Sequence, residues 1–236
     1  MVLRGSTGRG ELRAAMKRRP RSKRSDALAR PDLLSREKLA RVPSQRRSRI
    51  KREAILRAGV ELFERKGYEA TAIGDIVRRA GTSTGGFYQY FRSKRQLLLV
   101  LMNELLQKLE QIDMQPSGQG DLKSGIESVL RAGLSTDLAY VGAYRAWREA
   151  MLSDAQLAVL DERVRAWTTT RLRAVFETIA KLRGARRGID IPLFAAVMDR
   201  LFWDLLTSTL RSNPRLVETI GDIIYYSIFE DTLAAR

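Results

Sequence analysis

A segment rich in hydroxyl, amide and glycine residues, GTSTGGFYQYFRSKRQLL, occupies residues 81–98. Hydroxyl groups hydrogen-bond to phosphate oxygens, and a glutamine amide can pair with the edge of an adenine base. The adjacent glycines Gly85 and Gly86 each cost about 1 kcal/mol of helix propensity relative to alanine. Close approach of the backbone to another surface is one compensation, and packing against a preceding helix is the other. The segment favours recognition chemistry, with nucleic acid as the first candidate.

Catalytic chemistry has little support in the composition. The chain has no cysteine and no histidine. The absence of cysteine excludes a thiolate metal site and a cysteine nucleophile. The absence of histidine removes the commonest general base. The sequence also contains no paired-carboxylate, phosphate-loop or metal-spacing motif. We expect neither an enzyme nor a bound cofactor or metal.

Positive charge is concentrated at the front of the chain, whose net charge is +16. Residues 1–49 hold 16 Lys and Arg against 4 Asp and Glu, and residues 50–96 hold 10 against 5. Residues 97–236 hold 17 against 18. A basic region of this kind binds nucleic acid or an anionic membrane surface. We favour nucleic acid, because no stretch approaches the ~20 apolar residues of a membrane span and neither a secretory signal nor an amphipathic anchor is present.

Residues 1–45 carry three prolines and few large apolar side chains, which predicts a disordered basic extension. A short helix over residues 33–41 is compatible with the pattern. One interpretation is a solvated tail or an upstream extension of the coding region. The other is a flexible arm that adds non-specific affinity for DNA, and both interpretations remain open.

Apolar residues recur at helical spacing from residue 48 onward. Residues 55–63 predict a first helix that Gly67 ends. Thr71 and Ser83 are candidate N-caps of two short helices joined by a Gly-Thr-Ser turn, and Ser93 is the candidate cap of a long fourth helix. Two short helices joined in this way indicate a helix-turn-helix, whose second helix enters the major groove. No long run alternates with period two, so the predicted fold class is all-α, with about nine helices.

Residues 55–98, ILRAGVELFERKGYEATAIGDIVRRAGTSTGGFYQYFRSKRQLL, resemble the DNA-binding domain of the TetR family, the tetracycline-repressor-like bacterial regulators. The matching pieces are LFERKGYEAT, DIVRRAG and GGFYQYFRSKRQLL, in that order. The resemblance implies a helix-turn-helix domain over residues 46–95 and a helical effector-binding and dimerisation domain over residues 96–236. It implies a cytoplasmic homodimer that binds double-stranded DNA at a palindromic operator and releases it when a small-molecule effector binds.

The resemblance also assigns DNA contacts by position. Thr71 resembles a phosphate-contacting helix start, and Tyr88, Tyr90 and Lys94 fall on phosphate-facing positions. Thr82, Thr84 and Tyr90 depart from the residues usual in the family, which leaves the individual base contacts open. The remaining predicted DNA-binding residues, in the turn and on the second short helix, are Thr82, Ser83, Thr84, Gly85, Gly86 and Gln89.

The back half of the chain holds all three tryptophans. Large aromatic residues at helical spacing are usually core, yet pockets between helices are built from the same residues. Our predicted pocket residues are Tyr144, Trp147, Trp167 and Phe176. No basic cluster on an apolar face indicates an anionic effector, so an apolar or aromatic one is favoured.

The last two predicted helices are apolar on more than one side. One side can cover the domain's own core, and the other predicts a helix-bundle interface between two copies. A thick monomeric core is the alternative. The predicted interface residues are Phe194, Leu201, Phe202, Leu205, Ile220, Ile224 and Ile228.

Two functions remain for comparison. The first is a ligand-responsive, dimeric repressor. The second is a non-specific architectural DNA-binding protein driven by the basic tail. Discrimination between one operator and random DNA, typically 10³-fold or more for a specific regulator, separates them.

Overall fold

A computed structural model describes residues 29–39, 45–115, 121–208 and 212–229. These residues contain nine α-helices and no strand, so the all-helical prediction is confirmed for this part of the chain. An isolated antiparallel bridge joins Ala185 to Phe229. The helices are α1 (Arg46–Lys66), α2 (Ile73–Ala80), α3 (Thr84–Tyr88), α4 (Lys94–Glu110), α5 (Leu122–Leu138), α6 (Val141–Ala150), α7 (Ala155–Ile179), α8 (Ile191–Thr207) and α9 (Leu216–Ile228).

Helices α1 to α3 follow the predicted helix-turn-helix. Gly67 follows α1 with φ 81° and ψ 179°, a positive-φ conformation that glycine adopts without strain. Gly81 follows α2 in the left-handed helical conformation, with φ 65° and ψ 37°. The predicted cap Ser93 accepts a hydrogen bond from the Gln96 backbone N–H at 3.1 Å and begins α4.

Three aspartates begin the helices of the back half. Asp121, Asp154 and Asp190 each accept hydrogen bonds from backbone N–H groups in the first turn of α5, α7 and α8. A carboxylate in this position satisfies unpaired amides and complements the positive end of the helix dipole. Helix α9 instead begins at Leu216, where the N-cap residue Arg215 makes no side-chain bond.

The buried apolar residues form two clusters that do not follow the predicted boundary at residue 95. The first cluster joins α1 to α4 with α6, and it includes Phe63, Leu97 and Trp147. The second lies among α5, α7, α8 and α9 around Phe176 and Ile220. The front helices therefore share one core with α6. Among the described residues, no helix is both long enough and apolar enough to cross a lipid bilayer.

Part of the predicted disordered extension is ordered. Residues 29–39 form a non-helical segment with a turn, so the short helix expected there is absent. Leu33 is only 3% exposed and joins the first core cluster. The Arg30 guanidinium donates to Asn103 Oδ1 at 2.6 Å, and Glu37 pairs with Arg95 at 2.9 Å. Both contacts fix the segment on α4. Residues 1–28 and 40–44 of the predicted extension lie outside the described residues.

Candidate nucleic-acid interface and effector cavity

Helix α3 is held at both ends by residues of its own segment. Ser83 Oγ accepts a hydrogen bond from the Gly86 backbone N–H at 3.1 Å, which begins the helix. The Phe87 side chain is fully buried, and its ring lies 5.6 Å from the ring of Phe91. This aromatic pair anchors a five-residue helix that is too short to be stable alone.

The opposite side of α3 is open to solvent. Tyr88 is 53% exposed, and Thr84 and Gln89 are also exposed. These side chains carry a phenol, a hydroxyl and an amide, which suit phosphate oxygens and base edges. The helix therefore presents hydrogen-bonding groups outward while its aromatic anchors point inward.

The two glycines of α3 have different surroundings. A methyl group on Gly86 would overlap the Thr82 hydroxyl, so packing within the turn explains that glycine. A methyl group on Gly85 would meet only Ser83 Oγ, at 3.9 Å. The space beyond Gly85 is thus open, and its missing side chain leaves the backbone accessible to a bound molecule.

Thr71 is not placed to contact a phosphate. Thr71 is 1% exposed, and its hydroxyl donates a hydrogen bond to the Gly67 carbonyl at 2.6 Å. It does not cap α2 either, because Ala72 is the N-cap residue and makes no side-chain bond. The structure corrects this predicted contact: the hydroxyl closes the loop between α1 and α2.

Lys94 and Tyr90 are also engaged inside the protein. The Lys94 ammonium donates to the carbonyl oxygens of Tyr68 at 2.6 Å and Glu69 at 3.3 Å, and it lies 4.2 Å from the Tyr68 ring centre. Tyr90 is 9% exposed and belongs to the first core cluster. We therefore correct both from predicted phosphate contacts to residues that position the loop and the helix.

A basic cluster at the start of α1 was not among the predicted DNA contacts. The Arg52 guanidinium carbon lies 5.7 Å from the Phe91 ring centre, which sets the first turns of α1 beside the end of the α3 segment. The cluster consists of Arg46, Arg47, Arg49 and Lys51, all exposed. No described residue forms an ion pair with these four side chains. The run of basic residues that precedes the apolar pattern of residues 55–63 could have indicated this cluster.

Comparison with known proteins agrees with this geometry. Residues 55–101, which run from the second half of α1 to the first half of α4, match the family model described as bacterial regulatory proteins, tetR family. The helix-turn-helix segment therefore carries a TetR-family sequence signature. A relative of the chain, the uncharacterised helix-turn-helix transcriptional regulator YvdT of Bacillus subtilis, is 42% identical over 72 residues, 30% of this chain and 37% of YvdT. The alignment thus spans little more than a third of that relative's length.

Solved structures extend the likeness to the whole TetR-type fold. GusR of Salmonella enterica has a TM-score of 0.58 at 17% identity, over 75% of this chain and 94% of that chain. The ketosteroid transcriptional regulator KstR2 of Mycobacterium tuberculosis has a TM-score of 0.57 at 16% identity, over 81% of this chain and 98% of that chain. At these identities the comparison shows the fold alone.

An apolar cavity of about 160 Å³ lies among the back helices. Trp167 and Phe176, two of the predicted pocket residues, line it, and Trp203 forms another part of the wall. Tyr144 and Trp147 do not line it. Tyr144 packs behind the wall with its ring 4.5 Å from Trp203, and burial raises the pKa of its phenol. Trp147 is fully buried in the first core cluster, where its indole N–H donates to Asp161 at 2.9 Å.

The predicted interface residues mostly face the chain's own core. Leu205, Ile220, Ile224 and Ile228 are buried in the second cluster, and Phe194, Leu201 and Phe202 are partly buried against it. Ile224, for example, is 2% exposed. The exposed apolar side chains of α8 and α9 are instead Leu193, Val197, Ile223 and Tyr226.

Helix α6 connects the back half of the chain to the loop before α2. The Glu149 carboxylate accepts hydrogen bonds from the backbone N–H groups of Tyr68 at 2.6 Å and Glu69 at 3.1 Å. Lys94, at the start of α4, binds the carbonyl oxygens of the same two residues. The loop is therefore held from both sides, by α4 and by α6.

Proposed function

We propose that this TetR-family chain is a dimeric, sequence-specific DNA-binding regulator whose affinity for its operator falls when a small apolar molecule occupies the cavity. The observation that carries the proposal is helix α3, which is anchored by Phe87 and open on the side of Gly85, Tyr88 and Gln89. The exposed arginines at the start of α1 supply phosphate contacts beside it. Base contacts then give the specificity that phosphate contacts lack.

The exposed apolar residues of α8 and α9 support the dimer. Leu193 is 61% exposed and Val197 is 55% exposed, one helical turn apart, while Ile223 and Tyr226 are each 45% exposed on α9. Two adjacent helices with apolar residues on their solvent side suit a self-complementary four-helix interface. In the dimer, the two copies of α3 must lie about 34 Å apart to enter successive major grooves.

Contacts along α4 suggest how ligand and DNA are coupled. Arg171, on the cavity wall, donates to the carbonyl oxygens of Leu109 at 3.1 Å and Ile112 at 3.4 Å, at the end of α4. Lys94, at the other end, holds the loop before α2. A ligand that displaces Arg171 acts on α4 and so favours a different separation of the two recognition helices. The coupling is reciprocal, so DNA weakens ligand binding by the same factor.

The proposal is tested by selecting genomic DNA fragments on the full chain at about 0.15 M salt, a concentration at which surface charges are largely screened beyond ~8 Å. We expect one near-palindromic sequence to be bound at least about 10³-fold more tightly than random fragments. Gln89→Ala is expected to lower discrimination by about 1–3 kcal/mol at one position of each half-site. Binding that shows no sequence preference would contradict the proposal and favour the architectural alternative.

Arg49→Ala is the matched control, because it removes charge and not base recognition. Its affinity should fall by a similar factor for operator and random DNA. The slope of log affinity against log salt should fall by about one per lost contact in each protomer. If Arg49→Ala discriminates between sequences as well as the wild-type chain does, Arg49 is assigned to phosphate contact and Gln89 to base recognition.

A further inference from the structure

The cavity wall contains three charged side chains among its mostly apolar residues. They are the carboxyl groups of Asp137 and Asp199 and the guanidinium of Arg171. Two of them already have partners within the protein. Arg171 donates to two carbonyls and lies 5.0 Å from the Trp167 ring, and Asp199 is hydrogen-bonded to Thr168, Thr169 and Trp203. Asp137 differs from both.

No described residue donates a hydrogen bond to the Asp137 side chain or forms an ion pair with it. The residue lies in the last turn of α5, where the helix dipole disfavours negative charge. Burial raises the pKa of its carboxyl to about 7. The residue as a whole is only partly buried, since it lines the cavity. A carboxylate held among apolar side chains without a partner is unfavourable, so native proteins usually pair it. An aspartate in an apolar cavity wall is therefore a group that lacks its counterion.

We propose that the cavity binds a small apolar or aromatic molecule carrying one protonated amine, which pairs with the Asp137 carboxylate. The wall has one more acidic than basic group, so a monocation neutralises it. A cavity of about 160 Å³ accepts a one-ring molecule, since an apolar cavity of roughly 150 Å³ in another protein binds benzene. The inference rests on the effector part of the proposed function and names the chemical class of that effector.

Three matched probes test the charge preference by isothermal titration calorimetry at pH 7.5, without DNA. They are benzylamine, the neutral benzyl alcohol and the anionic phenylacetate. We expect the amine to bind the full wild-type chain roughly 10- to 100-fold more tightly than the alcohol, the range of a charge-assisted hydrogen bond. The acetate is expected to bind more weakly than the alcohol.

Two variants assign the preference to one carboxyl. Asp137→Asn should reduce the advantage of the amine over the alcohol to about threefold or less while leaving the affinity for the alcohol unchanged. Asp199→Asn should keep most of that advantage, because Asp199 is already hydrogen-bonded within the protein. The second variant controls for any general effect of losing a carboxylate from the wall.

Several results would overturn the inference. They are equal affinity for amine and alcohol, tighter binding of the acetate, an amine preference that survives Asp137→Asn, or binding of none of the probes. Each of these outcomes leaves the DNA-binding proposal intact, because no operator takes part in the measurement. Failure to find an operator would in turn leave a measured amine preference in place.

Discussion

The α-carbon of Gly142, in the first turn of α6, lies directly against the backbone carbonyl of Val60 in α1. A methyl group built on Gly142 would overlap that oxygen and lie 2.9 Å from the Glu64 backbone nitrogen. These neighbours are backbone atoms, which cannot turn aside as a flexible side chain can. The contact between the front helices and α6 therefore depends on one missing side chain.

Gly142→Ala is expected to destabilise the protein by about 2–4 kcal/mol, because the helices must separate to admit the methyl group. Chemical denaturation measures the change. Gly74→Ala is the matched control, since Gly74 lies exposed in α2 with no atom near the added methyl group. That control should gain up to about 1 kcal/mol from helix propensity. Similar effects in the two variants would show that the α1–α6 contact tolerates the methyl group.

The second prediction concerns the loop that α6 holds. Glu149→Ala removes the acceptor for the amides of Tyr68 and Glu69, and we expect a loss of about 1–3 kcal/mol in stability. Amide hydrogen exchange at these two residues should accelerate before exchange in α7 does. Glu162→Ala, an exposed change on α7, is the control. Unchanged exchange at Tyr68 would mean that the carboxylate does not hold the loop.

The third prediction separates the two glycines of α3. Gly85→Ala should leave stability unchanged or raise it by up to about 1 kcal/mol, because the added methyl group meets only Ser83 Oγ at 3.9 Å. Its operator affinity should fall at least about tenfold if the backbone approaches DNA there. Gly86→Ala should instead lower stability, since its methyl group overlaps the Thr82 hydroxyl. Fluorescence anisotropy of operator DNA and thermal denaturation measure the two effects.

The fourth prediction follows from the raised pKa of Asp137, from 3.8 to about 7. Between these pH values the folded chain binds this proton more tightly than the unfolded chain does, so the free energy of unfolding falls as pH rises from about 4 to about 7. Asp137→Asn removes this loss. We expect the variant to be more stable than wild type by on the order of 2–4 kcal/mol at pH 8 and about equally stable at pH 4. If wild type and Asp137→Asn were equally stable at both pH values, the Asp137 carboxyl would be in contact with water.

The local features of the front half were readable from the sequence, and the long-range ones were not. Ser83 and Ser93 cap their helices through contacts three residues away, which a single segment specifies. Lys94 instead bonds to the carbonyl of Tyr68, 26 residues away, and Thr71 closes a loop rather than starting a helix. Such partners depend on how α1 and α4 cross, which no local pattern encodes.

The back half shows the same limit in another form. Helical spacing identified α8 and α9 as apolar, but spacing cannot distinguish the side that covers the chain's own core from the side that faces outward. Ile224 and Ile228 point inward, whereas Leu193 and Val197 point outward. Only two of the four predicted pocket residues line the cavity for a similar reason: Trp147 and Trp167 have the same chemistry, and only the packing of α7 brings Trp167 to the cavity.

The positions of the aromatic residues give this protein two separate optical readouts. Trp167 and Trp203 form part of the cavity wall, whereas residues 46–110, which include α3, contain no tryptophan. Indole emission should therefore change when a ligand enters the cavity and respond little to contacts made by Tyr88 or Gln89. Occupancy of the cavity can then be followed by intrinsic fluorescence, and occupancy of DNA by a dye on the duplex, in the same unlabelled protein sample.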